Sequence, residues 1–242
     1  MTSQSLSRRQ LSRSKVELFL ECPRCFHEDV VQGNRRPSSP PFTLNNAVDI
    51  LFKREFDGFR ASGTPHPLFQ TVGLDAVPLK DGRMDQWRNN FKGVRWRDAK
   101  TGWTLFGAID DLWQLSTGEV VVADYKATAR KEVLSVAHLY PSYQRQAEIY
   151  QFLVERQGFQ VNNRAWFVYA NGILDSSGFE NVLRFSTTLI PYEGRRAWVL
   201  DAFRSAVALL QEGTEPLPGE SCVYCRYAGR SSTAPMFMEA LH

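Results

Sequence analysis

Four cysteines stand in two C-x-x-C pairs, Cys22-Pro-Arg-Cys25 and Cys222-Val-Tyr-Cys225, one near each end of a 242-residue chain. Paired thiols of this kind point to metal rather than to a disulfide framework. Together they supply a four-sulfur set that suits Zn²⁺ or an iron–sulfur cluster, four unligated thiols being the alternative. A zinc ribbon separates its pairs by about 15–20 residues, so a shared metal here would staple the N-terminal region to the C-terminal region instead. That requirement shapes everything between: the intervening chain must fold so that its two ends meet.

The interior has the material for this. Apolar residues make up 43% of the chain, enough for a packed core. The longest apolar runs, such as Val120-Val121-Val122-Ala123, have the length of strands, so no membrane span is expected. The first fifteen residues are polar without an apolar signal core, and the expected location is cytoplasmic. A net charge of +3 permits nucleic acid as a partner without requiring it.

Along the chain, residues 1–13 read as a flexible tail, 14–230 as one domain and 231–242 as a second tail. Ser14-Lys-Val-Glu17 has the form of a capping box and predicts a helix from Lys15 to Glu21. Asn46–Arg60 reads as a helix with Val48, Leu51, Phe52, Phe56 and Phe59 in one stripe, ended by Gly63-Thr-Pro65. Residues 68–92 give little signal. Trp103–Asp110 and Glu119–Asp124 read as strands joined through the turn residues Ser116-Thr117-Gly118. Helices are predicted over Ser142–Gln157 and Tyr192–Glu212, and a strand over Arg164–Ala170. Interleaved strands and helices favour an α/β fold with a mixed central sheet.

The hairpin carries the chemistry. A turn centred on Thr117 sets Asp110 opposite Asp124, where paired side chains lie roughly 5 Å apart on one face. Two carboxylates that close repel unless a cation sits between them. By alternation Lys126 points the same way as Asp124. Two hard oxygen ligands beside an ammonium can bind Mg²⁺ or Mn²⁺ and promote phosphoryl chemistry. The plainer reading is a solvated strand end and a surface ion pair. His27, His66 and His138 carry no ligand spacing.

These residues belong to a longer ordered pattern: Gly107-Ala-Ile-Asp110, then Asp124-Tyr-Lys126, then Gln146-Ala-Glu-Ile-Tyr150. It resembles the GxxD, DxK and QxxxY motifs of RecB-like PD-(D/E)XK nucleases, a family that includes the AddAB and RecBCD nuclease domains and CRISPR-associated iron–sulfur exonucleases. The resemblance spans residues 12–230 and implies a restriction-endonuclease-like mixed sheet flanked by helices, with the chain ends joined by the four-Cys site. It implies that Asp110, Asp124 and the Tyr125 carbonyl bind the divalent metal. Lys126 would orient or deprotonate water or offset phosphate charge, and Gln146 and Tyr150 would reach the substrate. Where the family has a histidine ligand, this chain has Asp49. The family's iron-staple members draw one cysteine from the N-terminal region and three from the C-terminal region. Here Ser231 replaces the last and Cys25 is extra, and the resemblance favours 4Fe–4S over Zn²⁺. The implied activity is hydrolysis of DNA, in repair, recombination or defence, with a helicase or similar partner. Single-stranded ends or flaps are the expected substrates, because no recognition helix or zinc-finger reader is visible while Trp, Tyr and Arg are plentiful enough to stack on bases. The alternative is a catalytically silent nucleic-acid-binding module that keeps the fold.

Overall fold

Leu11 is fully buried in a short strand, Gln10–Ser12 (β1), that leads directly into the first helix. The computed structural model describes residues 8–38, 40, 42–175 and 177–229. Helix Arg13–Glu21 (α1) follows β1, then Pro23–His27 (α2), and then a single π turn, Glu28–Gln32. The long helix Thr43–Ser62 (α3) and the short Pro67–Gln70 (α4) precede strand Ala76–Pro78 (β2) and helix Met84–Trp87 (α5). Strands Val94–Arg97 (β3), Thr104–Gly107 (β4), Asp111–Leu115 (β5) and Val120–Thr128 (β6) come next. Helix Pro141–Glu155 (α6), strands Arg164–Gly172 (β7) and Phe185–Glu193 (β8), and helices Val199–Glu212 (α7) and Val223–Tyr227 (α8) complete the order.

The fold is mixed α/β, with two sheets and flanking helices. One sheet has the order β2-β5-β6-β7-β8, in which only β6 and β7 run parallel. The other is three-stranded, ordered β1-β4-β3. A central strand paired on both sides is covered on both faces, which is why β6 opens with an unbroken apolar run, Val120–Ala123. Val121, Ala123 and Tyr125 point to one side, where Phe52 and Phe56 of α3, Phe69 and Trp113 complete a buried cluster. Phe56 stacks on Trp113 at 5.5 Å, and Phe52 on Tyr125 at 5.1 Å. Asp124 and Lys126 alternate to the other side, towards α6.

Among the described residues the contacts cluster into two compact units, one drawn from residues 1–39, 97–105 and 200–242, the other from 40–96 and 106–199. β1 lies at residues 10–12, ahead of the first helix. The N-cap of α1 is Ser12, whose hydroxyl accepts from Lys15 N–H at 3.3 Å. The capping box at Ser14–Glu17 therefore does not form: β1 holds the chain extended up to Ser12, which takes the cap first and leaves Glu17 buried inside the helix. α3 is longer than predicted, and Leu51 on its apolar stripe is 59% exposed. Gly63 ends it in the left-handed conformation, φ 69°.

The strand read over Trp103–Asp110 stops at Gly107, and β5 begins at Asp111. Close packing breaks it: a Cβ on Gly93 would lie 2.5 Å from the Gly107 carbonyl, and Arg88 Nε donates to the Asp110 carbonyl at 2.8 Å. The helix read from Tyr192 begins at Val199 instead. Tyr192 belongs to β8, where its hydroxyl donates to Glu148 at 2.6 Å. The carboxylate of Glu148 also accepts from Arg195 N–H and Trp198 Nε1, fixing the turn between strand and helix.

Candidate active site and metal centre

Two clusters of chemically active side chains form, one in each unit. In the unit built on the five-stranded sheet, the β5–β6 register pairs Asp111 with Ala123 and Leu112 with Val122. One step beyond this ladder, Asp110 falls across from Asp124. Its carboxylate accepts from Tyr125 N–H at 3.1 Å, so a backbone donor on β6 fixes its direction.

Asp124 is 1% exposed and is held at both oxygens. Lys126 Nζ donates to Oδ2, and Gln146 Nε2 donates to Oδ1 at 2.9 Å. Gln146 also donates to the Tyr150 hydroxyl at 3.2 Å, as expected of residues four apart on one helix face. Lys126 Nζ lies 4.6 Å from the centre of the Tyr143 ring and 3.5 Å from the Tyr125 carbonyl oxygen.

Asp49 faces the same cluster from α3. Lys53, one turn on, bridges it to Asp110, with Nζ 2.8 Å from Asp49 Oδ2 and 3.1 Å from Asp110 Oδ1. Lys53 is absent from the motif pattern. Its one sequence signal is its place four residues after Asp49, the spacing of a helical ion pair. A second missed network lies beneath. Arg60 pairs with Asp111, whose other oxygen accepts from the Tyr125 hydroxyl at 2.6 Å. Arg88 links Asp57 to the Asp110 carbonyl. These arginines brace the segment that carries Asp110.

The electrostatics show strong crowding. Burial raises the Asp49 carboxyl, and the neighbouring charge of Asp110 raises it further against the pull of Lys53. Burial works the same way on Asp110, but Lys53 and then Lys126 outweigh it and hold the carboxyl below its ordinary value. Burial would lower Lys126, and the charges of Asp124 and Asp110 overcome it, so the group stays an ammonium. Three carboxylates thus converge with two lysines as their counter-charges. Oxygen donors crowded in this way fit a divalent ion, which would relieve the repulsion that the lysines offset.

In the other unit, Cys22, Cys25, Cys222 and Cys225 come together. All four are buried, with their sulfurs within 4.8 Å of one another. Separations of 3.7 Å (Cys22–Cys225) and 3.6 Å (Cys25–Cys222 and Cys25–Cys225) are far longer than the S–S bond of about 2.05 Å. Gly219 N–H and Cys25 N–H donate to Cys22 Sγ at 3.3 and 3.4 Å. Burial pushes the Cys22 thiol up, but these amides and the neighbouring thiols bring it down to about 7. Burial and the other sulfurs push Cys225 up. Arg36 reaches the cluster, 3.6 Å from Cys222 Sγ, and lies 4.5 Å from the Tyr224 ring centre. Four convergent buried sulfurs with amide and guanidinium donors fit a thiolate-bound metal. Ser231 lies outside the described residues.

The paired carboxylates and the lysine thus lie at the central hairpin of a mixed sheet. Residues 43–230 match the family model of the PD-(D/E)XK nuclease superfamily, and the chain belongs to that superfamily. No curated protein matches it. The crystal structure of SSO0001 resembles it at 12% identity with a TM-score of 0.39, over 91% of this chain and 84% of that one. Among the described residues, no helix is long and apolar enough to cross a membrane.

Proposed function

We propose that this protein is a divalent-metal-dependent DNA nuclease of the RecB-like branch of its superfamily. One observation carries the reading: Asp110 and Asp124, from the two strands of one hairpin, converge with Lys126 and Gln146 bound directly to Asp124. Asp110, Asp124, the Tyr125 carbonyl and Asp49 would hold the ion. When bound, such an ion supplies Lewis-acid chemistry at phosphate.

The residues supply the rest. A water oxygen bonds to phosphorus as the ester P–O bond breaks, and the proton released by water ends on the departing alcohol. Lys126 remains an ammonium beside Asp124 and Asp110, so it offsets charge that develops on the phosphoryl oxygens rather than acting as a base. Gln146 fixes the Asp124 carboxylate and is itself oriented against Tyr150. Lys53 neutralises the Asp49–Asp110 pair. Single-stranded ends or flaps in DNA repair, recombination or defence are the proposed substrates, and the protein acts in the cytoplasm.

At the cysteines, the reading is one Zn²⁺. A tetrahedron with Zn–S bonds of about 2.3 Å has edges of about 3.8 Å, close to the 3.6–3.7 Å of three of the six separations between these sulfurs, the others lying within 4.8 Å. A 4Fe–4S cluster gives each thiolate its own iron, which spreads the sulfurs wider.

End-labelled single- and double-stranded DNA, incubated with the protein in Mg²⁺, Mn²⁺ or EDTA, tests the activity. Cleavage with either metal and none in EDTA supports it. Binding without cleavage under all three conditions would instead establish the silent binding module.

A further inference from the structure

Beside the carboxylate cluster, Tyr143 lines two hollows. One, of about 220 Å³, is lined by Asn45, Asn46, Asp49, Lys126 and Tyr143. The other, of about 70 Å³, shares Lys126 and Tyr143 and continues to Arg130, His138 and Tyr140. The two hollows therefore adjoin at Lys126 and Tyr143, one on the Asp49 side and one on the Arg130 side.

Around the smaller hollow aromatic and basic groups stand side by side. Tyr140 and Tyr143 meet edge to face, with centroids 5.3 Å apart. Arg130 lies 5.5 Å from the Tyr140 ring centre and donates to its hydroxyl at 2.5 Å. Tyr140 is 50% exposed although its partners are in place. The main chain of Arg130 is fixed by Asn171, whose Oδ1 accepts from the backbone N–H at 2.8 Å and whose Nδ2 donates to the backbone carbonyl at 2.9 Å, while the guanidinium itself is held by the Tyr140 hydroxyl. Among the described residues no carboxylate pairs with its guanidinium. An anchored cation without an acidic partner beside a half-open aromatic face matches a phosphate and a base in charge and shape.

We propose that Tyr140, propped by Tyr143 and Arg130, is a base-stacking platform for single-stranded DNA next to the scissile phosphate. This rests on the nuclease reading above. The smaller hollow is too small to enclose a base, so the base lies on the ring and the phosphate meets Arg130. A stacking face accepts any base, which makes the contact indifferent to sequence. It also selects for strandedness, because the faces of a base inside a duplex are already covered by its neighbours.

The test is fluorescence anisotropy with a labelled oligothymidylate of about 12 nucleotides and a duplex of equal length, both in EDTA so that no cleavage occurs. The wild type should bind the single strand more tightly than the duplex. Tyr140→Ala should weaken single-strand binding on the order of tenfold and duplex binding far less, and Tyr140→Trp should retain the preference. Arg130→Ala should lower the salt dependence of single-strand binding by about 0.7 in log–log slope, the release expected for one phosphate contact. Equal loss on both substrates, no loss with alanine, or a tryptophan variant as weak as alanine would overturn the platform. Binding read in EDTA is independent of cleavage, so a protein that stacks DNA but does not cut it would sink the nuclease reading and leave the platform standing.

Discussion

Asp98→Asn should destabilise the unit that carries the cysteines, by an amount that depends on pH. Asp98 is 2% exposed and accepts both Arg204 Nε and Nη2, at 2.9 and 2.8 Å. Lys100 N–H and the Thr101 hydroxyl also donate to it. It joins the turn after β3 to α7, the helix after which the chain runs on to Cys222. Arg204 and then its other donors hold its carboxyl at about 2 against burial, below the ordinary 3.8. A folded-state value below the unfolded one contributes stability above the unfolded pKa, lost as pH falls through the folded one. At about 1.4 kcal/mol per pH unit, and allowing for solvent around the half-open Arg204, the contribution at neutral pH is about 2 kcal/mol. About half of it should be gone by pH 3. Urea unfolding of wild type and Asp98→Asn at pH 7, 5, 4 and 3 measures this directly. The gap between the two midpoints should be widest at pH 7 and 5 and narrow towards pH 3. A gap that is absent at pH 7, or that stays constant to pH 3, would refute the reasoning.

Three further outcomes follow from the geometry. Cys225→Ser should lose its metal and with it folding stability, because the unfolded chain has no preformed site; elemental analysis should find one zinc per wild-type chain, whereas brown protein absorbing broadly near 400 nm would mean an iron–sulfur cluster. Asp49→Ala should raise the Mg²⁺ concentration needed for half-maximal cleavage and Asp49→His should shift the preference towards Mn²⁺; an unchanged metal titration in both would remove Asp49 from the ligand set. Gly93→Ala should cost more than about 1 kcal/mol, since φ +61° is unfavourable for alanine and its Cβ would strike the Gly107 carbonyl; an unchanged urea midpoint would contradict the packing that ends β4.

The hairpin was legible because its turn is local. Gly118 sits at φ 88°, Ser116-Thr117-Gly118 fixes the loop, and every pairing up the ladder then follows. Gln146 and Tyr150 were legible for the same kind of reason, four residues apart on one helix. The residues that brace the site were not. Asp57 and Arg60 are three apart on α3 and read locally as a helical ion pair, but their contacts to Arg88 and Asp111, and that of Arg88 to Asp110, join elements far apart in the chain, and no local spacing marks those. Lys53 offers only the local spacing of a helical ion pair with Asp49, and its second partner, Asp110, lies on another element. β8 escaped because Phe185–Glu193 is polar over its first half and carries Pro191, which an edge strand tolerates and a central one does not. Cysteine chemistry, rather than any hydrophobic pattern, suggested that the distant C-x-x-C pairs meet.

The central claim is that Asp110, Asp124 and Lys126 form a metal-dependent phosphodiesterase centre. The most direct measurement is single-turnover cleavage of labelled single-stranded DNA in Mg²⁺ by wild type and Asp124→Asn, with circular dichroism to verify the fold and anisotropy to verify DNA binding. The account predicts that Asp124→Asn stays folded and binds DNA but cuts at no detectable rate. Cleavage by Asp124→Asn at the wild-type rate, or a wild type inert in both Mg²⁺ and Mn²⁺, would contradict it.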